Sequence, residues 1–249
     1  MSNKRRCPIC GSYHTIDSDT NHFKCLSCLA FFPKKVPVRS ATSDLLVAYS
    51  EGTHLLGEDI YKNCIKSIIS LECCFQEFEQ YGTGFMTMHG HIVTVAHLLF
   101  DENGNLPRNI VGTLSDNLEV YPLECIACDK DSDIAFLKIR GVTILPLKHT
   151  TYEPIAGESI FVIGNSKGEG LCILEGIISA CNRVINSQEY LMITAPVING
   201  DSGAPVINKN GEIIGMVVSG RKDTKAMNYA LPIKTLINSA KELGINEKQ

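Results

Sequence analysis

The chain has 249 residues, 44% hydrophobic and 20% charged, which is room for one mid-sized folded domain plus a small appendage and excludes wholesale disorder. No run approaches a membrane span, and the start, Met-Ser-Asn-Lys-Arg-Arg-Cys, lacks an apolar leader, so the expected location is the cytoplasm. A net charge of −4 argues against nucleic-acid binding over the whole surface. The average hides an asymmetry, because residues 1–40 carry seven Lys/Arg against only Asp17 and Asp19. The rest of the chain is acidic. Eleven cysteines in a reducing compartment point to metal binding or packing rather than disulfides.

In chain order, the first element is a pair of knuckles, Cys7-Pro8-Ile9-Cys10 and Cys25-Leu26-Ser27-Cys28. Two Cys-x-x-Cys pairs at this separation predict one tetrahedral zinc ion on Cys7, Cys10, Cys25 and Cys28. Residues 1–35 are too few to bury a core, so the metal is expected to supply most of their folding energy. His14 and His22 lie between the pairs and read as surface residues, since four thiolates fill the shell. The segment resembles the zinc ribbons at many bacterial N-termini. Its expected role is to dock a protein partner or activator; nucleic-acid binding through Lys4, Arg5 and Arg6 is the lesser alternative. Residues 36–58 read as a linker.

Beyond the linker the pattern is mostly β. A short helix over Ile60–Lys66 leads into a strand, Ser67–Leu71. Glycine-punctuated apolar runs follow at 84–88, 91–95, 118–125, 134–139, 159–163, 172–179, 190–194, 204–207 and 213–218. Many short strands predict an all-β sandwich or barrel. A closing helix over Ile233–Leu243 has apolar positions at Ile233, Leu236, Ile237, Ala240 and Leu243, with Gly244 as the stop. Of the other cysteines, Cys172 and Cys181 read as core, and Cys125 and Cys128 as packing or surface thiols.

Three patterns carry chemistry: Thr94-Val95-Ala96-His97, Asp131-Ser132-Asp133-Ile134-Ala135, and Gly200-Asp201-Ser202-Gly203-Ala204-Pro205. In the order His, Asp, Ser they resemble the trypsin/chymotrypsin-like serine peptidases. A serine hydroxyl is a poor nucleophile until an imidazole takes its proton, and the imidazole needs a fixed acceptor on its other nitrogen. His97 is thus the expected base, Asp133 its orienter and Ser202 the nucleophile. Glycines around Ser202 let the amides of Gly200 and Ser202 converge on a developing oxyanion.

Tyr81-Gly82-Thr83-Gly84-Phe85, Asp133 to Ile139, Gly157 to Asn165 and Asn228 to Ile233 extend the likeness, which is to the high-temperature-requirement peptidases of bacteria. The resemblance runs from residue 60 to about 243. It implies two six-stranded antiparallel β-barrels, about 59–147 and 155–232, within a peptidase domain of 59–245 closed by a C-terminal helix, with the triad in the cleft between them. It implies a protein or peptide substrate, no membrane and no metal for catalysis. It also places Pro196 and Val197 at the base of the specificity pocket, Asn199 beside them, and Val218, Ser219 and Gly220 along its wall. No acid stands at that base, so a small or medium apolar side chain is expected there; Arg221 and Lys222 leave glutamate as a lesser option. The family usually adds PDZ domains after the peptidase, and this chain is expected to work without one. Asp201 replaces the usual Asn, so a buried carboxylate needs donors or a cation, with Arg183 or Arg221 as candidates and loop ordering as the expected consequence. The rival expectation is a latent or non-catalytic binding protein on the same scaffold.

Overall fold

The computed structural model describes residues 15–17, 22–25, 31–33, 56–88, 90–115, 118–220 and 228–245. Three short strands, β1 (Thr15–Asp17), β2 (His22–Cys25) and β3 (Phe31–Pro33), form an antiparallel sheet in that order. Cys25 closes β2 opposite Thr15, whereas Cys7, Cys10 and Cys28 lie outside the described residues, as do Lys4, Arg5, Arg6, His14 and most of the expected linker.

The first helix, α1 (Gly57–Cys64), continues as a 3-10 turn over Ile65–Ser67. Its acidic residues Glu58 and Asp59 sit in the first turn and Lys62 in the last, matching the helix dipole. Ile60 and Cys64 are its buried face.

Twelve strands then close two barrels. The first contains β4 (Ile68–Cys74), β5 (Glu79–Met86), β6 (Ile92–Thr94), β7 (Asn109–Leu114), β8 (Val120–Asp129) and β9 (Ile134–Ile139). The second contains β10 (Ser159–Gly164), β11 (Cys172–Ile185), β12 (Gln188–Ile193), β13 (Pro205–Asn208), β14 (Ile213–Gly220) and β15 (Asn228–Pro232). The orders are β4-β5-β6-β9-β8-β7 and β10-β11-β12-β15-β14-β13, so the same all-antiparallel topology occurs twice. Closure leaves neither sheet with a free edge along its length. The expected two-barrel architecture is what the chain adopts. A final helix, α2 (Ile233–Glu242), follows Pro232 directly.

Period-two burial explains the strands. In β4, Ile69, Leu71 and Cys73 face the first core while Ser70, Glu72 and Cys74 face outward. The barrel is narrow, and its glycines mark where side chains leave no room. Leu71 pairs with Gly82 on one side and Gly112 on the other. A Cβ on Gly112 would lie 2.7 Å from Ile69 Cγ2 and 3.0 Å from Leu123 Cδ1.

The barrels are strapped reciprocally. From α1, Tyr61 donates its hydroxyl to Leu171 C=O at 3.1 Å, and Gly57 abuts the Phe161 ring of the second barrel. From the other end, Ile233, Leu236 and Ala240 of α2 lie over Phe85, Phe136 and Leu147 of the first.

Two strands were not read as such in the sequence. In β7 the run Ile110, Val111, Gly112 is buried throughout, so no alternation signals it. β15 is five residues ending in proline. The cysteine reading also changes: Cys64 and Cys73 are the fully buried core cysteines, whereas Cys172 and Cys181 are only half-buried, Cys181 packing against the edge of the second core. Burial pushes the Cys64 thiol up to about 12, as befits a packing residue. The strict alternation expected between Cys125 and Cys128 is broken by a bulge between Cys125 and Ala127.

Gly112→Ala tests the barrel's tightness. It should destabilise by about 1–3 kcal/mol in urea unfolding, the usual cost of overpacking, and a change near zero would mean that the first barrel is slack there.

Candidate active site

The cleft between the barrels collects the three sequence motifs. His97 lies in a 3-10 turn, Ala96–Leu99, directly after β6, where Ala96, Leu98 and Leu99 are buried and His97 alone is left outward. Asp133 ends the turn between β8 and β9. Asp129 opens that turn by accepting the N–H groups of Asp131 and Ser132 at 3.0 and 3.1 Å. Asp133 itself has φ +56°, a left-handed conformation that short polar side chains tolerate better than most. Both its oxygens go to one residue: Oδ1 accepts the His97 backbone N–H and Oδ2 lies 2.8 Å from His97 Nδ1, each at 2.8 Å. A carboxylate can only accept, so Nδ1 carries the proton and Nε2 is left as the basic nitrogen.

Ser202 comes from the second barrel, on the loop before β13. Its hydroxyl donates to Val218 C=O at 3.3 Å, a long bond. His97, Ser202, Gly200, Asn199, Lys167, Leu98 and the Glu79–Tyr81 segment line one open cavity of about 330 Å³.

The backbone around Ser202 is nearly fully accounted for. Asn199 C=O accepts from Lys167 N–H at 2.7 Å, and Asp201 N–H donates to Ile198 C=O at 3.1 Å. Asp201 C=O accepts from Ala204 N–H at 2.9 Å, Ser202 C=O from Thr83 N–H at 2.9 Å, and Gly203 N–H donates to Val217 C=O at 2.8 Å. Gly200 C=O accepts the Thr83 hydroxyl at 2.8 Å. Among the described residues, the N–H groups of Gly200 and Ser202 find no acceptor. With no cis peptide among the described residues, each points away from the tethered carbonyl before it, Asn199 and Asp201 respectively. Both residues line the cavity.

Glycine is required on either side of the serine. Gly200 and Gly203 have φ +97° and +85°, and a Cβ would lie 2.1 Å from Asn165 O and 2.0 Å from Thr83 O respectively.

Asp201 is completely buried, and among the described residues no arginine reaches it. The Ser166 hydroxyl donates to Oδ1 at 2.7 Å and Ile198 N–H to Oδ2 at 2.8 Å. Arg183 is exposed on β11, and Arg221 lies outside the described residues. Of the expected alternatives, donors or a cation from Arg183 or Arg221, the described residues supply two neutral donors and not Arg183. Burial holds the carboxyl above its ordinary range, partly offset by the Ile198 and Ser166 bonds.

The expected specificity residues are less united. Val197 is buried in the second core, Pro196 and Asn199 are exposed, and Val218 is buried with its carbonyl on Ser202. Ser219 and Gly220 pair with Tyr229 and Asn228 through β14–β15; Arg221 and Lys222 lie outside the described residues. Asn228 braces the Pro196 loop by donating to Ala195 C=O at 2.6 Å.

Residues 82–216 match the profile of the trypsin-like peptidase domain. The chain belongs to that family. The trypsin-like peptidase domain has a bacterial relative, a probable periplasmic serine endoprotease, DegP-like, of Pseudomonas putida strain W619, 28% identical over 176 residues. The match covers 68% of this chain and 36% of the relative, so the chain spans about a third of that protein's length. Among solved structures, the serine endoprotease of Yersinia pestis superposes with TM-score 0.68 at 20% identity, over 77% of this chain and 67% of the other. A protease of M. tuberculosis in its active form gives 0.67 at 20% identity, over 76% and 85%. These likenesses bear out the fold expected of the trypsin-like peptidase domain. Among the described residues, no helix is long and apolar enough to cross a membrane.

Sequence reasoning quoted Thr83, Asn165 and Ser166 or their neighbours only as flanking matches, or not at all. The structure makes them partners of the Ser202 loop: Asn165 N–H donates to Thr83 Oγ1 at 2.9 Å, and Thr94 Oγ1 donates to Thr83 C=O at 2.7 Å.

The isolated Asp201 carboxyl generates a signed prediction. Its folded-state pKa is raised, so the folded protein binds the proton more tightly than the unfolded chain, and stability falls as pH rises from below 3.8 through the folded value. Asp201→Asn removes that loss. Its Tm should exceed wild type at pH 7–8 by about 2–4 °C, the effect of ~1 kcal/mol in a domain this size, and the gap should close near pH 3. A constant gap across pH would contradict the assignment.

Proposed function

We propose that this chain is a serine endopeptidase that cleaves protein substrates through an acyl-enzyme on Ser202. One observation carries the reading: the N–H groups of Gly200 and Ser202 have no acceptor among the described residues, and both residues line the cavity that His97 shares. A loop that ties down the carbonyls beside its serine and leaves these two donors free is suited to stabilise negative charge.

In the proposed cycle the Ser202 hydroxyl leaves Val218 C=O and gives its proton to His97 Nε2 as Oγ attacks the scissile carbonyl. Asp133 holds the ring and stabilises the imidazolium. The new oxyanion takes the Gly200 and Ser202 N–H groups. Collapse expels the amine, which receives the proton from His97, and water then repeats the sequence on the acyl-enzyme. No step calls for a metal.

The substrate backbone is proposed to add along Val218–Gly220, whose described partner strand is β15 on one side only beyond Val217. A small or medium apolar side chain would then face Val197 and Pro196. We also propose that Cys7, Cys10, Cys25 and Cys28 hold a structural zinc ion in an N-terminal ribbon that docks a regulatory protein. The antiparallel β1–β3 sheet ending β2 at Cys25 suits that donor set. Free Cys64, Cys73, Cys74, Cys125, Cys128, Cys172 and Cys181 support a reducing, cytoplasmic location. The one observation favouring a latent scaffold instead is the Ser202 bond to Val218.

Cleavage of an unfolded protein substrate, followed by gel and mass spectrometry, tests the reading. Wild type should cut, and Ser202→Ala, His97→Ala and Asp133→Ala should each lower turnover by roughly 10³-fold or more. The purified chain should carry one zinc, lost in Cys7→Ser. Equal cleavage by wild type and Ser202→Ala would sink the proposal.

A further inference from the structure

Thr83 sits at the centre of β5, fully buried, and directs its N–H and its hydroxyl across the interface between the barrels. Its N–H donates to Ser202 C=O at 2.9 Å, and its hydroxyl donates to Gly200 C=O at 2.8 Å. The same oxygen accepts from Asn165 N–H at 2.9 Å, and its carbonyl accepts from Thr94 Oγ1 at 2.7 Å. Thr83 thus grips the nucleophile loop at the two residues whose N–H groups are free. We propose that the Thr83 hydroxyl is the positioning group of the oxyanion site, holding the Gly200–Asp201 peptide that directly follows the Asn199–Gly200 peptide whose N–H is free.

Two peptide planes meet at the Gly200 Cα: Asn199–Gly200, which carries the free N–H and whose C=O accepts from Lys167 N–H, and Gly200–Asp201, whose C=O accepts the Thr83 hydroxyl. With both planes held, a rearrangement of the loop that swings Gly200 out of the cavity must break the Thr83 bond. Thr83 opposes this with a bond from a different barrel, anchored on Thr94 and Asn165. Gly82 and Gly84 on either side of Thr83 let the strands and the loop close in: a Cβ on Gly82 would lie 3.3 Å from Ser202 O and 2.5 Å from Leu98 Cδ2. The tether requires a hydroxyl that donates and accepts at once. Thr and Ser qualify; Val and Ala do not.

This positioning role rests on the serine peptidase reading for its kinetic consequence but not for its structural one, and the test separates the two. Thr83→Val keeps the shape and removes the hydroxyl, Thr83→Ser keeps the hydroxyl, and Thr83→Cys keeps the size with a weak donor should the valine variant fail to fold. In the Ser202-dependent assay, Thr83→Val should lower kcat about 10–100-fold, below the 10²–10³ of deleting a donor outright, with KM within about twofold. Thr83→Ser should recover kcat to within about threefold, and Thr83→Cys should fall between. Peptide-level hydrogen exchange provides the second reading: the bonded N–H groups of Asp201 and Gly203 should exchange at least tenfold faster in Thr83→Val, while β8 and β9 do not change. Unchanged exchange in the loop overturns the proposal, as does a kcat loss that Thr83→Ser fails to rescue. Faster loop exchange in Thr83→Val, together with no Ser202-dependent cleavage by wild type, would uphold the tether and overturn the peptidase reading instead.

Discussion

The reactive loop of this protein is held in place by a hydrogen-bond node that belongs to the other barrel. Thr83 from the first barrel takes Gly200 and Ser202 from the second, and Thr94 and Asn165 fix Thr83 in turn. The node is dry, because Thr83, Thr94 and Asn165 are all buried, and a buried polar group left without its partner costs about 1–3 kcal/mol. Each bond therefore penalises the loop's departure more than it would at the surface. The two barrels could slide or open only by breaking several such bonds at once. The reciprocal packing of α1 on the second barrel and α2 on the first adds apolar area to the same constraint.

Charge is kept off this node. Asp201, directly before the serine, is buried with a serine hydroxyl and a backbone N–H for company and, among the described residues, no cation. Gly164 makes its space, since a Cβ there would lie 2.5 Å from Asp201 Oδ1. The other carboxylate, Asp133, is partly open to solvent, with its side chain 29% exposed, and is spent entirely on His97. One acid is held by neutral donors within the loop, and the other gives both its oxygens to His97, as the proposed base requires. Their environments, not their identities, separate the roles.

Much of this was legible in the sequence because it is local. His97 follows a short apolar strand, Asp133 ends an Asx turn, and Gly200 and Gly203 mark the conformations that the loop requires. β9 and the α2 helix announce themselves by continuous or 3.6-residue apolar patterns. The illegible parts are long-range or masked by packing. Ser166 is 35 residues from Asp201 and Thr83 is 117 from Gly200, so nothing in spacing links them. β7 is hidden because Gly112 gives way to Ile69 and Leu123, and β11 runs on to Ile185 through two register shifts where Asn182 and Arg183 read as a loop. Spacing alone offers donors or a cation for Asp201, and among the described residues it is the donors Ser166 and Ile198 that the folded chain brings near.

The central claim is that Ser202 is a nucleophile activated by His97 in a preformed anion-stabilising loop. Its most direct test is covalent: treat the protein with a fluorophosphonate, follow the adduct by intact mass, and map it by peptide sequencing. The account predicts a single adduct on Ser202, absent in Ser202→Ala and formed at least 10²-fold more slowly in His97→Ala. No adduct on Ser202, or one whose rate is indifferent to His97, would contradict it.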